Sequence, residues 1–200
     1  RNLPQVQRVF VVERAQRDVR FDPALEVRYT DLLDDGDYDA PAFESETPCM
    51  MIYTSGTTGK PKAAFHVHAG FPIKAAQDMY HLFDLKPTDT ISWLTDIGWM
   101  MGPWLIMGGL ILGATVFMYD GSPDYPAPDR VWDMVERHGI TVLGITPTLI
   151  RALMRESADY ADRHPMPSLR LIGSTGEPWN PEPWLWTLQH VGKNRAPIIN

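Results

Sequence analysis

Short apolar runs and stretches of helical periodicity take turns along most of this chain, and that alternation decides the fold class before any single residue is considered. "CMMIYT" (49–54), "DTISWLT" (89–95), "TVFMY" (115–119), "ITVLGIT" (140–146) and the start of "SLRLIGSTGEP" (168–178) read as strands. Between them, "AGFPIKAAQDMYHLF" (69–83) carries Ile73, Ala76, Met79, Tyr80 and Phe83 at helical spacing. "DRVWDMVERHG" (129–139) puts Val131, Trp132 and Val135 on one face, with Gly139 as a stop. Pro147 suits the first turn of a helix "PTLIRALMRES" whose stripe is Leu149, Ile150, Leu153 and Met154. Strand and helix repeated in this order predict an α/β fold, mainly parallel sheets with flanking helices.

The segment ahead of residue 48 is different in kind. "VQRVFVVE" (6–13) reads as a lead-in strand, Thr30 could cap a short helix "DLLDD", and an acidic connector with Gly and Pro runs from Asp34 to Pro48. Two parts are therefore expected, 1–47 and 48–200. Within the connector, "DDGDYD" lacks the ordered spacing and terminal glutamate of a calcium loop and reads as solvated chain.

Two hundred residues, 44% apolar and 22% charged, describe a chain able to bury a core as one or two domains. A net charge of −7 argues against nucleic acid or an anionic membrane as a general partner, so any anion must be gripped locally. Cys49, the single cysteine, cannot form an intrachain disulfide and offers no metal cluster, which suits a reducing, cytoplasmic setting. No secretory signal opens the chain, and "APIIN" (196–200) reads as a strand nearing its close, so a fragment of something longer is expected. The uncharged stretch from Ile97 to Tyr119 is long enough for a membrane span. Gly98, Gly102, Pro103, Gly108, Gly109 and Gly113 interrupt it, and Asp96 and Asp120 flank it, so a loop, a buried helix (104–112) and a strand fit better.

The stretch "YTSGTTGKPK" (53–62) follows an apolar strand with backbone N–H groups on flexible glycines, three hydroxyls and two ammonium groups. Those are parts that cradle phosphate, although a Gly/Thr/Ser-rich run can also be a plain turn. It is not the usual nucleotide P-loop, which would need glycine at Thr54 and a hydroxyl residue at Pro61. Pro61 removes a donor and pushes Lys60 toward extended backbone, so no helix can start there, and the loop must wrap its phosphate.

The full run "YTSGTTGKPK" resembles the phosphate-loop signature of the adenylate-forming superfamily. "ISWLTDIGWMMGPW" resembles the segment that lines the carboxylate pocket in acetyl-CoA synthetase-type members, "GWMM" is similar to acetoacetyl-CoA synthetases, and "LRLIGSTGEPWNPE" looks like the family's adenine-side loop. The stretch between them, 113–154, is similar to that branch as well, so the likeness covers roughly Pro48 to Glu182.

This resemblance implies part of the large N-terminal domain of an AMP-forming acyl-CoA synthetase. A carboxylate would attack the α-phosphate of ATP, pyrophosphate would leave with Mg²⁺, and coenzyme A would capture the acyl adenylate. By the resemblance, Thr54, Ser55, Gly56, Thr57, Thr58, Gly59 and Lys60 embrace the β- and γ-phosphates, with Thr57 and Lys60 the catalytic pair and Lys62 beside them. Gly176, Glu177 and Pro178 border the adenine, largely through backbone, with Glu177 not a catalytic base. Trp99, Met100, Met101 and Thr175 fall where relatives shape the acyl pocket, although tryptophan and methionine are also ordinary core residues.

Acetate-specific members carry Val-Thr after that tryptophan and valine in place of Thr175. The departure at all three positions points to a larger or more polar acid. The family's next motif, whose glutamate helps hold Mg²⁺, would begin just past Asn200, as would the C-terminal domain, so this segment is expected to be inactive alone and to hold no metal by itself. Two rivals are an adenylation domain loading a carrier protein and a catalytically dead nucleotide-binding or scaffold module. His66 and His68 alternate on a possible strand and so share a face, with no third metal ligand near. Trp179, Trp184 and Trp186 read as packing, since no basic run accompanies them. Subunit number is not legible.

Overall fold

The computed structural model describes residues 7–13, 21–34, 36, 39–54 and 59–200, with only the backbone of Thr54. It divides into two compact units, Arg1–Ala42 and Phe43–Asn200. In the smaller unit, β1 (Val9–Val11) pairs in parallel with β2 (Glu26–Arg28), and Arg28 joins Glu13 at 3.1 Å. A 3₁₀ turn, Tyr29–Leu32, follows. Thr30 does not cap it: the turn already begins at Tyr29, so Arg28 holds the cap position and no side chain caps the end.

The larger unit opens with a hairpin of β3 (Pro48–Thr54) and β4 (Lys62–Val67), antiparallel, with Thr54 opposite Lys62 and Met51 opposite Phe65. Helix α1 (Phe71–Leu82) leads into a five-stranded, all-parallel sheet. Its strands are β5 (Thr90–Trp93), β6 (Thr115–Phe117), β7 (Val142–Gly144), β8 (Leu171–Gly173) and β9 (Ile198–Ile199), in the order β6-β5-β7-β8-β9. The crossovers carry α2 (Met101–Ile111), α3 (Arg130–Arg137), α4 (Pro147–Leu153), α5 (Asp159–Asp162) and α6 (Pro181–Trp186), the last running into a π-turn, Thr187–Val191. The uncharged stretch 97–119 is thus an eleven-residue helix and a strand, and no helix among the described residues is long and apolar enough to cross a membrane.

Both faces of the sheet are covered, which is why its strands read as continuous apolar runs. The period-two alternation sorts neighbouring residues to opposite sides. Leu143, Ile172 and Phe117 join the core under α3 and α4, while Val142, Leu171, Ile91 and Trp93 join the core under α1 and α2. The predicted stripe on α1 holds only in part: Met79 and Phe83 are buried as expected, but Phe71 and Ala75 are buried with them, whereas Ile73 and Tyr80 are exposed. Helix α2 decides the phase by its close approach. A Cβ at Gly108 would lie 2.7 Å from the Met79 sulfur and 2.9 Å from the Ala75 carbonyl oxygen, so only glycine lets α2 lie down on that face.

Candidate functional site

At the N-terminal edge of the sheet the parallel strands are pinned together. The buried Asp89 carboxylate accepts from Arg170 Nε at 2.9 Å and Nη2 at 2.6 Å, from the Thr141 hydroxyl at 2.7 Å and from the Lys86 N–H at 2.8 Å. At the opposite edge the strands open. In open α/β sheets ligands collect at carboxyl ends near the point where strand order reverses, here between β5 and β7.

A cavity of about 580 Å³ lies at that end, with Trp93 of β5, Ser174 and Thr175 after β8, and Ile199 and Asn200 at the end of β9 in its walls. Three rings of its apolar lining pack as a cluster: Trp93 and Trp104 meet edge-on at 5.2 Å, and Phe83 closes the triangle at 6.0 Å and 5.6 Å. The Trp93 indole lies directly over the ends of β7 and β8. A Cβ at Gly144 would come within 1.9 Å of Trp93 Cδ2, and one at Gly173 within 2.8 Å of the same ring system, so two glycines admit the indole. The Lys74–Asp78 ion pair on α1 also lines the cavity. Ser174 is 5% exposed, its N–H donates to the Ile199 carbonyl at 2.7 Å, and its hydroxyl has no partner.

Met100, Met101 and Thr175, all predicted acyl-pocket residues, come together in the walls of this cavity. Trp99 does not line it and keeps 67% of its surface exposed. The reason is local: Asp96 accepts from the Gly98 N–H at 2.7 Å and its carbonyl from the Trp99 N–H at 3.1 Å, a turn that carries the chain out before α2 begins.

The glycine- and hydroxyl-rich segment follows β3 and leads into β4. Its centre, Ser55, Gly56, Thr57 and Thr58, lies outside the described residues, while Gly59 and Lys60 are exposed at its exit and Lys62 opens β4. The chain leaves Pro61 as a strand rather than a helix. His66 and His68 part company, because β4 ends at Val67: His66 meets the Phe71 ring at 5.0 Å and borders the cavity, and His68 stacks on Phe43 at 4.9 Å.

After β8 the chain turns at Gly176, whose φ of +102° favours glycine, into Glu177 and Pro178. The Glu177 carboxylate accepts from the Thr148 N–H at 2.7 Å, from the Thr148 hydroxyl, and from Arg151 at 2.6 Å. The Thr148 hydroxyl and the Arg151 guanidinium hold this carboxyl below its ordinary pKa. Sequence reasoning named Glu177 for its backbone alone; its side chain acts on α4, and an i, i+3 pair of Thr148 and Arg151 facing an acid was the only signal. The aromatic triangle was also missed, since Phe83, Trp93 and Trp104 lie in three separate elements. Trp179 and Trp186 pack against the core under α3 and α4.

A family model described as AMP-binding enzyme matches residues 2–200. Over 202 residues, 100% of this chain and 31% of the relative, the sequence is 41% identical to an acetyl-coenzyme A synthetase of Chlorobaculum tepidum. Over 160 residues, 80% of this chain and 24% of the relative, it is 44% identical to an acetyl-coenzyme A synthetase of Gemmatimonas aurantiaca. Among solved structures, an acetoacetyl-CoA synthetase from Streptomyces lividans superposes with a TM-score of 0.82 at 27% identity, covering 98% of this chain and 31% of that one. The chain therefore spans less than a third of the length of these relatives.

Proposed function

Because this chain belongs to the AMP-binding enzyme family, we propose that it forms the triphosphate-gripping and acyl-binding part of an AMP-forming acyl-CoA synthetase. The observation that carries the reading is the cavity at the carboxyl end of the parallel sheet, walled by Met100, Met101 and Thr175 and bordered by the loop that continues into Gly176, Glu177 and Pro178. An acid and a nucleotide bound side by side there would meet at the carboxylate and the α-phosphate.

In the reaction, a carboxylate oxygen attacks the α-phosphorus of ATP and the bond to the bridging oxygen breaks. Pyrophosphate departs with that electron pair, and the thiol of coenzyme A then displaces AMP from the acyl carbon. Two anions must be brought together, so positioning and charge stabilisation supply most of the acceleration. Residues 54–60 would wrap the β- and γ-phosphates, with Thr57 and Lys60 offsetting charge on the departing pyrophosphate and Lys62 nearby. Among the described residues no three His, Cys, Asp or Glu side chains converge on a metal. Mg²⁺ binds largely through substrate phosphates and water, and would come with the nucleotide.

Met100, Met101 and Thr175, with Trp99 beside them in the chain, would shape the acyl pocket. Flexible thioether chains suit an irregular ligand, and Met100, Met101 and Thr175 in the places where acetate-specific members differ support an acid larger or more polar than acetate. A cytoplasmic setting fits substrates of this kind.

The test is acid-dependent exchange of pyrophosphate into ATP by the full-length enzyme, followed by an assay of thioester release on coenzyme A against a carrier protein. Thr57→Ala or Lys60→Ala is expected to cut exchange by about tenfold or more, the scale for losing one oriented charge-stabilising group. Full exchange in both variants overturns the phosphate-loop assignment.

A further inference from the structure

We infer that Glu177 is a positioning residue whose carboxylate ties the nucleotide-side loop after β8 to the first turn of α4, and so fixes the wall that an adenine would meet. This rests on the proposed adenylating function and goes beyond it, since the family reading gives this residue a backbone role only.

The loop from Ser174 to Pro178 is pinned at both ends by different elements. At its start, the Ser174 N–H donates to the Ile199 carbonyl at 2.7 Å, fastening Thr175 and its cavity wall to β9. The chain then turns at Gly176, a position with φ +102° where an added Cβ would meet nothing within 4 Å. A side chain at that position would find no neighbour to hold the turn. The next residue does so instead: one Glu177 oxygen takes both the N–H and the hydroxyl of Thr148, and the other takes Arg151 at 2.6 Å.

Arg151 also donates to the Thr148 hydroxyl at 2.9 Å, closing a three-residue cycle. Within α4, Thr146 caps the Leu149 N–H at 3.2 Å, so the Thr148 N–H is left for Glu177. The helix in turn is seated by Ile150 and Leu153, both buried in the core under α3 and α4. Core packing thereby sets the place of α4, α4 sets Glu177, and Glu177 sets the backbone between Gly176 and Pro178. The acid side, held by β9 through Ser174, does not depend on this link.

The expected signature is a split between substrates. In the full-length enzyme, Glu177→Ala should raise KM for ATP roughly threefold to tenfold, below the hundredfold that a full ångström of misplacement can cost, with little change in KM for the acid. Glu177→Gln keeps an acceptor for the Thr148 N–H and loses the ion pair, so it should fall between wild type and Glu177→Ala. Hydrogen exchange on the same proteins should show faster exchange at the Gly176 and Glu177 amides in the alanine variant, with β7 and β8 unchanged. Arg151→Gln, which removes the ion pair and the guanidinium bond to Thr148 but leaves the Glu177 bonds to Thr148, should show a smaller change of the same kind and serves if the alanine variant does not fold. Unchanged loop exchange in these variants, or equal rises in KM for ATP and acid, overturns the inference. Absence of acid-dependent exchange in the wild type would instead sink the enzymatic reading, while the loop measurement still decides the role of Glu177.

Discussion

Asp89 is buried where β5, β7 and β8 begin; its carboxylate accepts from Thr141 and Arg170, and the Thr141 hydroxyl in turn accepts from the Thr90 N–H. Burial opposes its ionisation, yet the hydrogen bonds from Arg170, Thr141 and the Lys86 N–H outweigh that and hold its pKa below the ordinary carboxylate value. A depressed pKa in the folded state contributes stability that is present above the unfolded value of about 3.9 and is lost as pH falls through the folded one. Asp89→Asn should therefore lower stability by about 1.5–3 kcal/mol at pH 7. Urea unfolding at a series of pH values should show the deficit shrinking below about pH 4. A pH-independent deficit would mean that charge is not what Asp89 supplies. Gly144→Ala tests the other residue-scale contact: with a Cβ 1.9 Å from the Trp93 indole, a loss of about 2–3 kcal/mol is expected in the same assay. None of this was legible beforehand, because neither contact leaves a periodic trace.

Helix α1 shows what periodicity can and cannot decide. Its existence and span were legible from apolar spacing, but both arcs carry apolar residues, and the choice between them lies in α2, where Gly108 offers no side chain to Ala75 and Met79. Met79→Ala should cost about 2–5 kcal/mol and Ile73→Ala less than about 0.5 kcal/mol, as read by thermal or urea unfolding. Equal costs would put Ile73 on the buried face, as its spacing predicted. The start and the stripe of helix α4 were legible, since Pro147 stands at its first position and Ile150 and Leu153 are buried, but the helix ends at Leu153 rather than running on through "MRES", and the Thr146 cap went unread. For β4 only the alternation at His66 hinted at a strand. Nothing local foretold that β3 and β4, on either side of the candidate phosphate-binding segment, would pair as antiparallel strands, because pairing partners are chosen across the fold.

On the scale of the molecule, alternation of elements dictated parallel strands, but not the order β6-β5-β7-β8-β9, which places a reversal point and hence a cavity. The candidate nucleotide and acyl residues were legible mainly through family resemblance, and the sheet explains why Thr175, far along the chain from Met100 and Met101, lines the same cavity. Met100→Val with Met101→Thr should shift preference in the exchange assay toward shorter acids. An identical acid profile would make those two methionines bystanders. The most direct test is a crystal structure of the full-length enzyme with its acid and a non-hydrolysable ATP analogue. We expect Thr57 and Lys60 within about 3 Å of the terminal phosphate oxygens and the acid against Met101 and Thr175. Phosphates bound away from residues 54–60, or an acid lodged outside this cavity, would contradict the account.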